Sequence, residues 1–355
     1  MATILIKNGR VFDGESFFFA DVFTDGDRIS KIEPNLTDDA TYVYDASGKI
    51  VSAGLVDAHV HMLGPEPDMY GINADLSTLP FGVTAAADAG GAHADRALVD
   101  SYQVKNVTFA QVKIKDDQPD FSVTEKKLAL YGDNIIGVKV YFDATNPHVR
   151  TVEPLRKICA YAEERDLLVM VHCSHSPTPM SEILNTLRTG DILTHAFHGA
   201  ENTAAADDFV AMVAAQKRGV IIDTGFAGHT HTDFAVFKAA IEKGVLPDTI
   251  STDITRTSAY KRGGRYGLPM CMSMARHMGM REEDIFKAVT SAPARALRRG
   301  DEWGSLKIGG IADIAVLDYT NEGFSLTDKA GNHIESTEGY RCVLTVSDGQ
   351  IVWRD

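Results

Sequence analysis

Cysteine is scarce in this chain: only Cys159, Cys173, Cys271 and Cys342 occur in 355 residues, far apart and with no CxxC pair. That spacing argues against a zinc clamp or a dithiol redox motif and leaves reduced, buried thiols as the expectation. Cys173 follows a polar strand-end residue, but strand neighbours point to opposite faces, so it too is read as packing. Positive charge is also short, with 35 Lys and Arg against 49 Asp and Glu, a formal net charge of −14. Such a field repels phosphate backbones and anionic lipid, which disfavours nucleic-acid and membrane partners. No apolar run reaches the roughly 20 residues of a membrane helix, and the opening MATILIKNGRVFDGE has no signal-peptide arrangement. A cytoplasmic location is therefore expected. Neither GxGxxG nor GxxxxGK[ST] occurs, so no phosphate-cradling glycine loop is expected.

What is present is ordinary globular composition, 44% hydrophobic and 24% charged, and enough length for one large barrel plus a smaller lobe. The first fifty residues read as short strands, with Asn8-Gly9 and Asp25-Gly26 as hairpin signals; the last fifty read alike, with a turn at Asp348-Gly349. Neither end has enough strands to bury a face alone. The expectation is a composite β-sandwich-like domain from 1–53 and 306–355. Between the ends, eight short apolar runs alternate with helix-length segments: 54–62, 83–90, 107–114, 135–142, 167–173, 192–197, 220–226 and 249–254. Segments 151–165, 202–218 and 232–243 have the three-to-four spacing of amphipathic helices. Eight strand–helix units predict a (β/α)₈ TIM barrel over 54–305.

Reactive groups of such a barrel sit at the carboxyl ends of its strands. The first run ends in His59-Val60-His61, the fourth carries Lys139, the fifth ends at His172, the sixth contains His195 and the eighth Asp253. A lone strand-end histidine is more often a hydrogen-bonded rim residue, a lone strand lysine snorkels, and a lone aspartate before a loop caps or turns. Together, four histidines and a carboxylate at the same ends of four strands form a nitrogen and oxygen ligand set suited to zinc or a related divalent ion.

The ordered motifs HVH, GVKVY, MVHCS, LTHAF and STDI resemble the amidohydrolase superfamily, and within it the amidohydrolase/deacetylase branch near dihydroorotases and D-aminoacylases. The likeness extends through GLVDAHVH, FGVTAAADAG and GSLKIGGIADIAVLD, nearly the whole chain. It implies two divalent ions, zinc or manganese, with His59, His61 and Asp253 on one, His172 and His195 on the other, and a CO₂-derived carbamate on Lys139 between them. It further implies hydrolysis of an amide or ester bond, with Asp253 as general base and acid. Cyclic-amide hydrolysis and deamination of a nitrogen heterocycle are the rival reactions, and a silent assembly protein is the rival of another class. A homo-oligomer is expected only by resemblance.

Arg256 lies three residues after Asp253, in a stretch with Lys261, Arg262 and Arg265, a basic cluster that suggests an anionic, carboxylate-bearing small molecule. His198 and Asn202 are candidates to line the pocket, with structural hydrogen bonding the equal alternative. Two positions depart from the branch: Tyr141 where arginine is common, and Gly225-Phe226-Ala227 where GHG is common. His229 and His231 stand nearby, and spacing leaves open whether either substitutes. Tyr141 and Phe226 are accordingly where substrate contacts are expected to differ.

Overall fold

Each end of the chain supplies strands that the other needs. The N-terminal strands are β1 (Thr3–Phe12), β2 (Phe17–Asp25), β3 (Arg28–Glu33), β4 (Tyr42–Asp45) and β5 (Ile50–Ala53). The barrel region contributes β6 (Leu55–Val60), β7 (Val83–Asp88), β8 (Lys105–Lys115), β9 (Gln118–Asp120), β10 (Ile135–Tyr141), β11 (Leu168–His172), β12 (Ile192–Thr194) and β13 (Ile221–Ile222). The C-terminal strands are β14 (Ile314–Thr320), β15 (Phe324–Thr327), β16 (His333–Ser336), β17 (Gly339–Ser347) and β18 (Gln350–Arg354). This computed structural model describes residues 2–62, 70–90, 99–261 and 264–355, the side chains of Asp133, His229 and Lys261 excepted.

The terminal strands pair in one sheet, ordered β18-β17-β14-β5-β1-β2-β3 with β4 also on β1. The join is β5, parallel to β1 on one side and antiparallel to β14 on the other. Ile4, Ile6, Val11, Val22, Val51, Ile314 and Leu344 share one hydrophobic cluster, so burial of each end depends on the other. Asp348-Gly349 is the turn its sequence predicts, with φ of +49° and +71°. Asn8-Gly9 is not a turn. It forms a bulge inside β1, where Asn8 at φ +62° donates its N–H to Asp21 Oδ1 at 2.7 Å. A side chain at Gly9 would meet Val51 Cγ2 at 2.4 Å, so the dipeptide serves close packing instead of chain reversal.

The barrel strands are parallel in the order β6-β7-β8-β10-β11-β12-β13. Both faces are covered, which is why VTAAAD of β7 is buried at all six positions and reads as a continuous apolar run. Residues 249–254 close the ring through parallel bridges Asp223↔Thr249 and Val60↔Ile254. This eighth segment is not a regular strand, because Asp253 at φ +47° breaks the extended backbone. Phe109, Ile136, Met170 and Ile192 share the interior cluster with Leu297 and Trp303, a packed floor that leaves polar residues to the mouth. The helices Glu153–Glu163 and Phe234–Glu242 form where expected; the third ends as Val210–Lys217, broken upstream by Asp208 and Phe209 at positive φ. Among the described residues, no helix is long and apolar enough to cross a membrane.

One element was not legible beforehand. Strands β15 and β16 form a separate two-stranded hairpin that docks on the barrel. Asp328 at its turn accepts hydrogen bonds from Phe234 N–H and Asn332 Nδ2, each at 2.8 Å, while Phe324 and Leu326 join the main core.

Candidate metal centre

All six strand-end residues converge at the carboxyl end of the barrel. Asp253 is their meeting point: Oδ1 lies 3.2 Å from His59 Nε2 and 3.0 Å from His61 Nε2, and Oδ2 lies 3.8 Å from His195 Nε2. Lys139 Nζ is 3.2 Å from His59 Nε2. The His172 and His195 rings are 4.4 Å apart between centroids. The donors fall into two groups, His59/His61/Asp253 and His172/His195/His231, each with its ligand atoms within 4.8 Å of one another.

The electrostatics suit a cation. Burial pushes His59 down to about 4 and His172 to about 3, with the Lys139 charge adding to the effect on both; burial also lowers His195 and His231. Their rings are neutral at physiological pH and present lone pairs. Burial acts to raise Asp253, but the facing His59 and His61 imidazoles hold it well below the usual carboxylate range. Burial lowers Lys139 to about 8, so an appreciable neutral amine fraction exists. His195 Nε2 and Asp253 Oδ1 are buried without a hydrogen-bond partner among the described residues. Asp253 Oδ1 is close to two imidazole nitrogens yet accepts a well-aligned bond from neither. Orphaned donors and acceptors aimed at a common point are costly unless a cation satisfies them, and the nitrogen and oxygen set fits a divalent ion.

The backbone is strained at the same place. His195 at φ +62°, Ala227 at +47° and Asp253 at +47° occupy the left-handed region without being glycine, at roughly 1–3 kcal/mol each. Buried carboxylates hold them and their neighbours. Asp223 accepts from the hydroxyls of Thr194 (2.7 Å), Thr249 (2.6 Å) and Ser251 (2.8 Å), and Thr194 Oγ1 in turn bonds His59 Nδ1 at 2.9 Å. That relay fixes the His59 ring and leaves Nε2 for the centre. Asp57, raised to about 7 by burial, accepts from Thr252 N–H and Oγ1 and ties the eighth segment to β6. Asp143 accepts from Ser174 N–H and His175 N–H and orders the loop after β11. His195 Nδ1 is 2.7 Å from the Gly225 carbonyl oxygen, so Nε2 faces the centre.

His231 joins the cluster although spacing left its role open. Its Nε2 is 3.8 Å from Asp253 Oδ2, and its ring lies 4.3 Å from His195 and 5.1 Å from His172. The His229 side chain lies outside the described residues. Tyr141 is half-exposed at the mouth, its ring 4.4 Å from His172 and its hydroxyl 2.7 Å from Thr145 Oγ1. His198 is buried beside the centre in a cavity of about 180 Å³. Arg256 instead opens a short helix, exposed, and does not line that cavity. Arg265 is exposed, while the Lys261 side chain and Arg262 lie outside the described residues. Asn202 bonds the Ser176 carbonyl oxygen at 3.1 Å, which gives it a structural task. Phe226 is fully buried against Phe237, so the departure there changes core packing and not a pocket wall. Asp223 and Asp57 had no periodic signal; each follows from asking what holds a strand-end histidine in place.

Comparison with known proteins agrees with this geometry. A deacetylase of Enterococcus faecalis is 28% identical over 98% of both chains. A solved adenine deaminase superposes with a TM-score of 0.85 and 26% identity over 99% of both chains. A solved dihydroorotase gives 0.85 at 23% identity, covering 100% of this chain and 98% of its own, which speaks to the fold. The Amidohydrolase family profile matches residues 50–352. With the barrel, its closing segment and every converging ligand inside that span, the chain belongs to the amidohydrolase family and is a hydrolase of carbon–nitrogen bonds.

Proposed function

We propose that this protein is a two-metal hydrolase of deacylase type, cleaving an amide or ester bond in a small, carboxylate-bearing molecule. The observation that carries the reading is the pair of three-donor groups meeting at Asp253, with Lys139 reaching the same point. His59, His61 and Asp253 would hold one ion; His172 and His195, with His231, the other. Zinc suits the histidine-rich set, and manganese remains compatible with it. Bound divalent ions would supply Lewis acidity and lower the pKa of water toward neutrality.

The chain's own groups would do the rest. The neutral Lys139 amine would be the group to take up CO₂ as a carbamate, an anion suited to holding cations at the two donor groups. Asp253 accepts the proton of the attacking water and returns it to the leaving nitrogen or oxygen. Tyr141, at the rim beside His172, would contact the substrate. Segments 1–53 and 306–355 are taken as one supporting lobe and 54–305 as the catalytic barrel.

Deamination, favoured by the likeness to the adenine deaminase structure, and cyclic-amide opening are the second reading. A screen of metal-replete protein against N-acyl-D- and L-amino acids, acylated hydroxy acids, cyclic imides and purines separates them. Carboxylate release from an acylated acid supports deacylation; ammonia release from a purine replaces it. If protein from zinc-supplemented medium holds no divalent metal, and a chelator changes neither stability nor activity, the enzyme reading fails.

A further inference from the structure

The centre does not stand alone at the mouth. Beside it lies the cavity of about 180 Å³, walled by His198, His231, Thr230 and Thr232 from the barrel loops and by His175 and Lys329 at its opening. His231 belongs both to this cavity and to the second donor group, so a molecule in the cavity sits next to the reacting centre. The walls hold unsatisfied polar atoms. His198 is only 2% exposed and, among the described residues, neither of its ring nitrogens nor the Oγ1 of the equally buried Thr232 has a partner. Buried polar atoms without partners are rare in native structures and point to a molecule, water or ligand, that satisfies them there.

Lys329 comes from elsewhere in the chain. It sits at the turn of the β15–β16 hairpin, beyond the barrel in sequence, where Asp328 pins the hairpin to Phe234 N–H and accepts from Asn332 within the same turn. Its Nζ donates to His175 Nε2 at 2.7 Å and, among the described residues, meets no carboxylate at ion-pair distance. Of the acids, Asp233 lines the cavity and caps the helix Phe234–Glu242 through Oδ1, while Asp143 accepts from Ser174 and His175.

We propose that this cavity is the subsite for the substrate's carboxylate, with Lys329 as the cation and the His198 ring and Thr232 hydroxyl as the neutral donors. The appended lobe then takes part in recognition: its hairpin reaches over the barrel and supplies the charge that selects anionic substrates. Arg256, exposed and outside the cavity, does not have this role. The inference rests on the hydrolytic reading of the metal centre, and its test separates the two.

Binding of N-acetylglycine and of its uncharged analogue N-acetylglycinamide is measured by calorimetry on metal-loaded full-length protein, for wild type, K329M, K329R and R256A. Wild type is expected to prefer the carboxylate. K329M reduces that preference about ten- to hundred-fold, the usual worth of a charge-assisted hydrogen bond, and K329R restores most of it. The arginine rescue excludes a merely structural lysine. No preference in wild type, a preference kept by K329M, or one abolished by R256A instead overturns the assignment. Acetate release from N-acetylglycine and from N-acetylglycinamide by wild type is scored separately. Its absence from both counts against the deacylase reading, while the binding ratios still decide the subsite.

Discussion

Gly90 tests whether the barrel wall sets the position of Lys139. It follows β7 at φ +90°, and a side chain there would place its Cβ 2.7 Å from Lys139 Cβ and 3.2 Å from the Phe109 carbonyl oxygen. Neither neighbour is the free end of a flexible chain: one is the root of a side chain within β10, the other is backbone of β8. Overpacking of this kind costs about 1–3 kcal/mol, and left-handed backbone adds roughly 1–2 kcal/mol. Gly90→Ala should therefore lose about 2–5 kcal/mol. It should also displace Lys139 from the donor groups and reduce metal content. Gly14→Ala is the matched control, with φ +109° but open space around the added atom; it should lose the backbone part alone and keep its metal. Urea unfolding of the metal-free proteins followed by circular dichroism, with elemental analysis after dialysis, gives both readouts. If Gly90→Ala unfolds at the same urea concentration as Gly14→Ala and retains full metal, the proposed contact between barrel wall and lysine is wrong.

Asp253→Asn should retain bound metal and lose at least about a hundredfold in turnover, the usual contribution of a positioned acid–base group; near-normal turnover in the metal-replete variant removes the role. His231→Ala should weaken one of two metal-binding events at least about tenfold in a zinc titration, and two unchanged events would make His231 a bystander. The metal-free protein should lose stability as pH falls. His59 at about 4 and His172 at about 3 lie below the ordinary imidazole value, so the unfolded chain binds protons first between roughly pH 6.5 and 4, and each imidazole removes about 1.4 kcal/mol per pH unit there. Above that window neither state is protonated and the contribution is flat. Asp57, raised to about 7, opposes this over much of the same window, but His195 and His198, also lowered, outweigh it. A urea midpoint that does not move between pH 7.5 and 5 in the presence of a chelator refutes it.

The barrel was legible because a parallel strand covered on both faces must be apolar throughout, so a polar residue at its carboxyl end stands out. His59, Lys139, His172 and His195 were found that way, as interruptions. The eighth run was found as apolar sequence, yet its regularity could not be foreseen, since the Asp253 backbone leaves the strand conformation. His231 escaped assignment for a related reason. The path from Gly225 to Gly228 passes repeatedly through positive φ, and no spacing rule survives such a path. Asn8-Gly9 misled because the positive φ that suits a two-residue turn also suits a bulge, and only the packing against Val51 distinguishes them. Lys329 was invisible in principle: it lies 154 positions from His175, joined to it only by how the hairpin docks.

Apart from Asn8-Gly9, these failures cluster around the centre, and physics explains why. A residue selected for regular structure advertises itself through periodicity, whereas one selected to aim a donor atom is placed wherever the backbone can be forced to go. At the mouth of this barrel, His195, Ala227 and Asp253 hold left-handed backbone, and His195 Nε2 and Asp253 Oδ1 lack partners among the described residues. The Asp223 and Asp57 hydrogen bonds offset part of that cost without using the ligand atoms themselves. The remainder is recovered only when something binds. Strain, orphaned atoms and lowered imidazole pKa values are thus one property, a mouth arranged around what it binds, and the role proposed for Lys329 would extend that arrangement to the hairpin.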